Sequence, residues 1–136
     1  MRLISLLVAA TAVASCTTAP PPPEGPSPRA VQEYQQLIGG KVARAPVNCI
    51  PNYHANDQRT IDGRTLAYRV GGGATVYIAH LSPGCEQVTH GSYALLSRSF
   101  GGMGVCRGDI EQVVDTINHS NFGSCTIEEI VPYYRP

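Results

Sequence analysis

The stretch RTLAYRVGGGATVYIAHL, residues 64–81, decides the fold. Leu66, Tyr68 and Val70 alternate with Thr65, Ala67 and Arg69, the period-two pattern of a half-buried strand. Three consecutive glycines, Gly71 to Gly73, then permit a reversal of the chain at positive φ. The run from Ala74 to Leu81 is mostly apolar and rich in β-branched side chains, which suits a second strand. These 18 letters read as one β-hairpin.

Downstream, Ser82-Pro83-Gly84 marks a turn, residues 93–100 suit a third strand, and Cys125-Thr126-Ile127 opens a last strand reaching Val131. The segment 109–117 carries two patterns. Ile110, Val113, Val114 and Ile117 have helical spacing, and Asp109 with Gln112 matches a capping box. Its β-branched content and short length favour a strand, which is the reading taken. Upstream, strand character begins at Val47. Before it, Ser27 suits an N-cap and Pro28 the first helical turn. Val31, Tyr34 and Ile38 share a face and Gly39-Gly40 stop the run, so a short amphipathic helix spans residues 29–38. The expected class is mainly β: a small antiparallel sheet or partial barrel with one N-terminal helix, residues 29–136 forming a single domain stapled by disulfides.

Residues 1–15 have another character. Arg2 precedes an apolar run from Leu3 to Ala14 and then small residues, the layout of a secretory signal peptide; roughly 20 residues would be needed for a spanning helix. The last letters, Val13-Ala14-Ser15-Cys16, resemble a bacterial lipobox. That resemblance implies cleavage before Cys16, a diacylglycerol thioether on its sulfur, and membrane attachment through the acyl chains. Thr17, in place of an aspartate, implies the outer membrane, with the domain facing the periplasm. Ordinary signal cleavage, with Cys16 a spectator, is the alternative. Residues 17–28, TTAPPPPEGPSP, are half proline and read as an extended spacer. At about 3.1 Å per residue it would hold the domain roughly 35 Å from the bilayer.

The whole chain has 136 residues, with ten Lys and Arg against ten Asp and Glu. Without a basic run it has no electrostatic footprint for nucleic acid or for an acidic membrane surface. Seven Tyr, two Phe and no Trp give a modest core, and small exported domains compensate with covalent staples. Apart from Cys16, four cysteines remain: Cys49, Cys85, Cys106 and Cys125. An even number in an exported chain reads as two disulfides. No CxxC is present, which argues against a zinc site or a thioredoxin-like redox centre. Three pairings are possible. Cys85–Cys106, closing the loop around the third strand, and Cys49–Cys125, joining first strand to last, are favoured.

Taken in order, Cys49, RTIDGRTLAYRV (59–70), the glycine turn with VYIAHL, PGC (83–85), VCRGD (105–109) and Cys125-Thr126-Ile127 resemble a domain-of-unknown-function family of small exported proteins from Gram-negative bacteria. The likeness spans most of residues 47–133 and rests on cysteines, glycines and strand patterns. It implies a stapled envelope domain and carries over no catalytic residue. The long 107–124 segment departs from the family pattern and leaves the register of the final strands open.

Little else points to chemistry. His54, His80, His90 and His119 lack HxxxH or HExxH spacing, Asp57 and Asp62 suit a turn, and FGGMGVC (100–106) lacks the ending of a phosphate loop. The Arg107-Gly108-Asp109 tripeptide needs only an exposed loop, and its aspartate suits the turn at Gly108. No catalytic residue, metal ligand or cofactor is assigned. Three functions compete: a non-enzymatic module binding an envelope protein or glycan, a small enzyme assembled from distant residues such as His80 or His90, and an inhibitor of an envelope hydrolase. A pocket gathering two titratable groups favours the enzyme, a flat apolar patch the binding module, and a protruding rigid loop the inhibitor. The binding module is the reading preferred.

Overall fold

A computed structural model describes residues 25–51, 57–99 and 104–136. Cys16, most of the proline-rich spacer, His54 and residues 100–103 lie outside the described residues.

The fold is mainly β, with half of the chain's structure in strands, one helix and a curled antiparallel half-barrel. Helix α1 (Pro28–Ile38) begins as its sequence demands: Ser27 Oγ accepts the Ala30 amide at 3.2 Å and Pro28 fills the first turn. The strands are β1 (Val42–Ala43), β2 (Cys49–Ile50), β3 (Gln58–Asp62), β4 (Thr65–Val70), β5 (Thr75–Leu81), β6 (Tyr93–Arg98), β7 (Val105–Cys106), β8 (Ile110–Asp115) and β9 (Asn121–Tyr134). The hairpin β4–β5 turns on the triple glycine, with φ of 61°, 65° and 88° at Gly71, Gly72 and Gly73. Segment 110–115 is a strand, because its β-branched side chains find antiparallel partners on both edges.

The main sheet runs β3-β4-β5-β9-β8-β6, and β1 also pairs with β9. The long β9 is its spine. One edge carries β5, while the other carries β8 along its first half and β1 at its end. Register shifts beside Leu81 and Val113 let it bend and curl the sheet.

Two cores result. Leu66, Tyr68, Tyr77, Ala79, Leu81, Val113, Ile127 and Ile130 pack inside the curl with Ile50 and Val105. On the opposite face, Ala30, Tyr34, Leu37 and Ile38 of α1 cover Ile61, Ala67, Val76 and Ile78. Val31 departs from the expected helix face. It is 45% exposed, because Ala30 and Leu37, rather than Val31, meet the sheet.

The sulfur pairing also differs from expectation. The bonds are Cys49–Cys106 and Cys85–Cys125, not Cys85–Cys106 and Cys49–Cys125. The reason lies in strand neighbours. Cys49 on β2 faces Cys106 on β7 in a two-stranded ribbon. Cys85 follows β5, whose neighbour in the sheet is β9, the strand that carries Cys125. Loop length along the chain did not decide the connectivity; sheet order did.

Candidate functional site

The helix crosses one face of the sheet without covering all of it. Register places Asp62 opposite Thr65, Thr65 opposite His80, and His80 opposite Glu129. Directly paired residues share a face, so these four form a polar row across β3, β4, β5 and β9. Over the row, the first turns of α1 leave a recess of about 210 Å³, lined by Pro26, Ala30, Val31, Tyr34, Ile61, Asp62, Thr65 and His80. Its walls are chiefly apolar, and its polar groups sit on the sheet floor.

The hydrogen bonds of that floor limit its chemistry. Asp62 Oδ1 accepts the Arg64 amide at 2.8 Å, as an aspartate in a hairpin turn commonly does. Arg64 Nε in turn donates to the Leu81 carbonyl at 2.9 Å and ties the turn to the end of β5. Among the described residues, neither His80 nor Thr65 makes a side-chain hydrogen bond, so no partner orients the imidazole. At the far wall, Tyr34 Oη lies 3.2 Å from Tyr133 Oη. Burial first, then that hydrogen bond and the neighbouring phenol's charge, push Tyr34 up to about 12. It remains a neutral phenol at any physiological pH.

A second polar feature lies inside the curl. Glu111, on β8, is 0% exposed, and Ser97 Oγ on β6 lies 2.9 Å and 2.7 Å from its two carboxylate oxygens. Burial holds this carboxyl above the usual range; the serine hydrogen bond opposes the shift and the charge of Asp109 adds to it. One hydroxyl can donate only one proton, so among the described residues the buried carboxylate has fewer donors than it can use.

Of the other residues singled out in the sequence, His90 and His119 are exposed and distant in the chain from any shared site. No group of three potential metal ligands occurs among the described residues. Asp109, 5% exposed, turns inward, and its Oδ2 accepts the Cys106 amide at 2.8 Å. The Arg107-Gly108-Asp109 tripeptide therefore presents an arginine and a glycine but not its carboxylate, which adhesion would require. Neither Ser97 nor Glu111 stood out in the sequence, and only the alternation of β8, which puts Glu111 on the face of Val113, hinted at burial.

A rigid turn joins β8 to β9. Asp115 Oδ1 accepts the amides of Ile117 and Asn118 at 2.7 Å and 3.2 Å, and Thr116 Oγ1 donates to the Ser92 carbonyl at 2.7 Å. The turn displays Ile117, 77% exposed, beyond the Tyr93–Phe122 edge-to-face pair. No helix among the described residues is long and apolar enough to cross a membrane. No family model, curated protein or solved structure matches this chain.

Proposed function

We propose that this chain is a lipid-anchored protein of the Gram-negative cell envelope whose folded domain acts as a non-enzymatic binding module. Acylated Cys16 would fasten it to the outer membrane, and the proline-rich spacer would hold the domain in the periplasm. The lipobox-like VASC, Thr17 and the resemblance to small exported four-cysteine domains support that location. Oxidation of all four domain cysteines into pairs agrees with it, since such bonds persist outside the reducing cytosol.

The observation that carries binding is the recess under the first turns of α1. Concave, apolar-walled and floored by a few polar groups, it has the make-up of a site that holds a ligand or a partner's side chain. It also gathers Asp62 and His80, the sign named above for an enzyme. Catalysis by the pair would need an oriented base, yet Asp62 Oδ1 serves the hairpin turn and no described residue aims the imidazole. A second reading, inhibition of an envelope hydrolase, is favoured by the rigid turn that offers Ile117. A preorganised loop with one apolar anchor loses little entropy on docking.

In-cell photocrosslinking separates these readings. A photoreactive residue at Val31 should capture a discrete envelope component in the wild-type background and lose it in Cys16→Ser. Capture only from a probe at Ile117 would transfer the function to the turn. Unchanged adducts in Cys16→Ser, or none from either position, would remove the proposal.

A further inference from the structure

We infer that Arg59 and Arg69 form an oxyanion site, separate from the recess at Pro26, that takes a phosphate monoester. Arg59 pairs with Ala67 across β3 and β4, and Arg69 lies two residues further along β4. The two arginines are thus diagonal neighbours on the helix-covered face of the sheet, within reach of one another's long side chains. Both line a single recess of about 250 Å³ against the flank of α1, with Glu33, Gln36 and Leu37.

The two guanidiniums there make no ion pair among the described residues. Arg64 donates to the Leu81 carbonyl, Arg107 to the Glu128 carbonyl, and the Lys41 ammonium to the Leu37 carbonyl. Arg59 and Arg69 have no hydrogen-bond or ion-pair partner among the described residues, although Glu33 lines the same recess. Two like charges ordered side by side on a sheet repel, and a bound anion reverses the sign of that interaction. Arginine's planar fork matches the oxygen spacing of carboxylate and phosphate. Here two forks reach in from different strands. A planar carboxylate offers a full edge to one fork, whereas a tetrahedral phosphate has oxygens for both. The Gln36 amide supplies a further donor, and Leu37 an apolar wall for the ester's carbon side. Glu33 opposes a bare dianion, so a ligand whose hydroxyl or amine beside the phosphate faces Glu33 fits better than phosphate alone.

The test uses the full-length chain, nitrogen-15 labelled, in phosphate-free maltoside micelles. Arginine Nε–H resonances are followed during titration with inorganic phosphate, and separately with phosphatidylcholine vesicles with or without phosphatidic acid. Saturable shifts are expected at Arg59 and Arg69 and not at Arg29 or Arg98. Arg59→Gln and Arg69→Gln, both at exposed positions, should each weaken phosphate binding about tenfold, the loss expected for a charge-assisted hydrogen bond. Arg69→Lys should recover only part, since it restores the charge without the fork. Glu33→Gln should tighten inorganic phosphate binding. The inference is overturned if neither arm gives saturable shifts at the two arginines, or if binding survives both substitutions. Preference for phosphatidic acid vesicles over free phosphate identifies a lipid headgroup as the source; the reverse identifies a soluble phosphate ester.

Discussion

Glu111 places a carboxyl where almost no water reaches it, which works against its charged form. Glu111 shares the inner face of β8 with Val113 and keeps one hydroxyl partner, Ser97. Burial favours the neutral acid, so the folded chain holds a proton in a pH range where the unfolded chain has released it. Linkage then fixes the sign. The stability is fully present below the ordinary glutamate range and is lost as pH rises through the raised folded value. Glu111→Gln keeps the shape and removes the charge. It should flatten this part of the stability–pH profile and raise stability at pH 8 by about 1–3 kcal/mol, read by urea unfolding across pH. Ser97→Ala should act the other way above neutrality, because it takes from the carboxylate the hydroxyl donor it has among the described residues.

At the scale of elements, the bend of β9 depends on two glycines that touch. A Cβ on Gly84 would strike the Ser124 carbonyl oxygen, and one on Gly123 would strike the Gly84 carbonyl oxygen. Gly84 also sits at φ 122°, in a region that side chains avoid. Gly123→Ala should therefore push the chain before Cys85 away from β9 and lower stability by about 1–3 kcal/mol, measured as a shift in the denaturant midpoint without a change in slope. At the other end of the chain, Ser27→Ala removes the cap on α1 and should cost about 1 kcal/mol. Because α1 roofs the recess, the same variant should weaken capture from Val31 while leaving the inner core intact. The helix, its cap and the hairpin were legible in the sequence, since each rests on side chains a few residues apart. Val31 was misread for an equally local reason: helical periodicity marks a stripe, but only contact with the sheet selects which edge of the stripe is buried.

For the molecule as a whole, the two disulfides differ in how far they are shielded from solvent. Cys85 and Cys125 are buried in the inner core, whereas Cys49 is exposed and lies in a ribbon of two short strands. In the chain-entropy model each bond stabilises by about 4 kcal/mol, comparable with the net stability of a small domain. Accessibility separates them. Under graded reduction and alkylation of the folded protein, Cys49 and Cys106 should label first, and Cys85 and Cys125 only as the core opens. Simultaneous labelling of all four would show that the inner staple is no better protected than the outer one.

By itself the sequence determined the helix with its cap, the glycine hairpin and an even set of domain cysteines. Each of these is a local pattern, or a count, set by backbone conformation and side-chain alternation over a few residues. The tertiary structure alone decided which sulfurs meet, that Asp109 and Glu111 lie inside, and that Arg59 stands near Arg69 at the flank of α1. Those outcomes depend on strand order in a curled sheet whose spine, β9, is the last strand in the chain. Alternation assigns residues to two faces, but both faces of the central strands here are covered. Which one is core, and what stands across from it, follows from the path of a strand that the chain reaches only at its end.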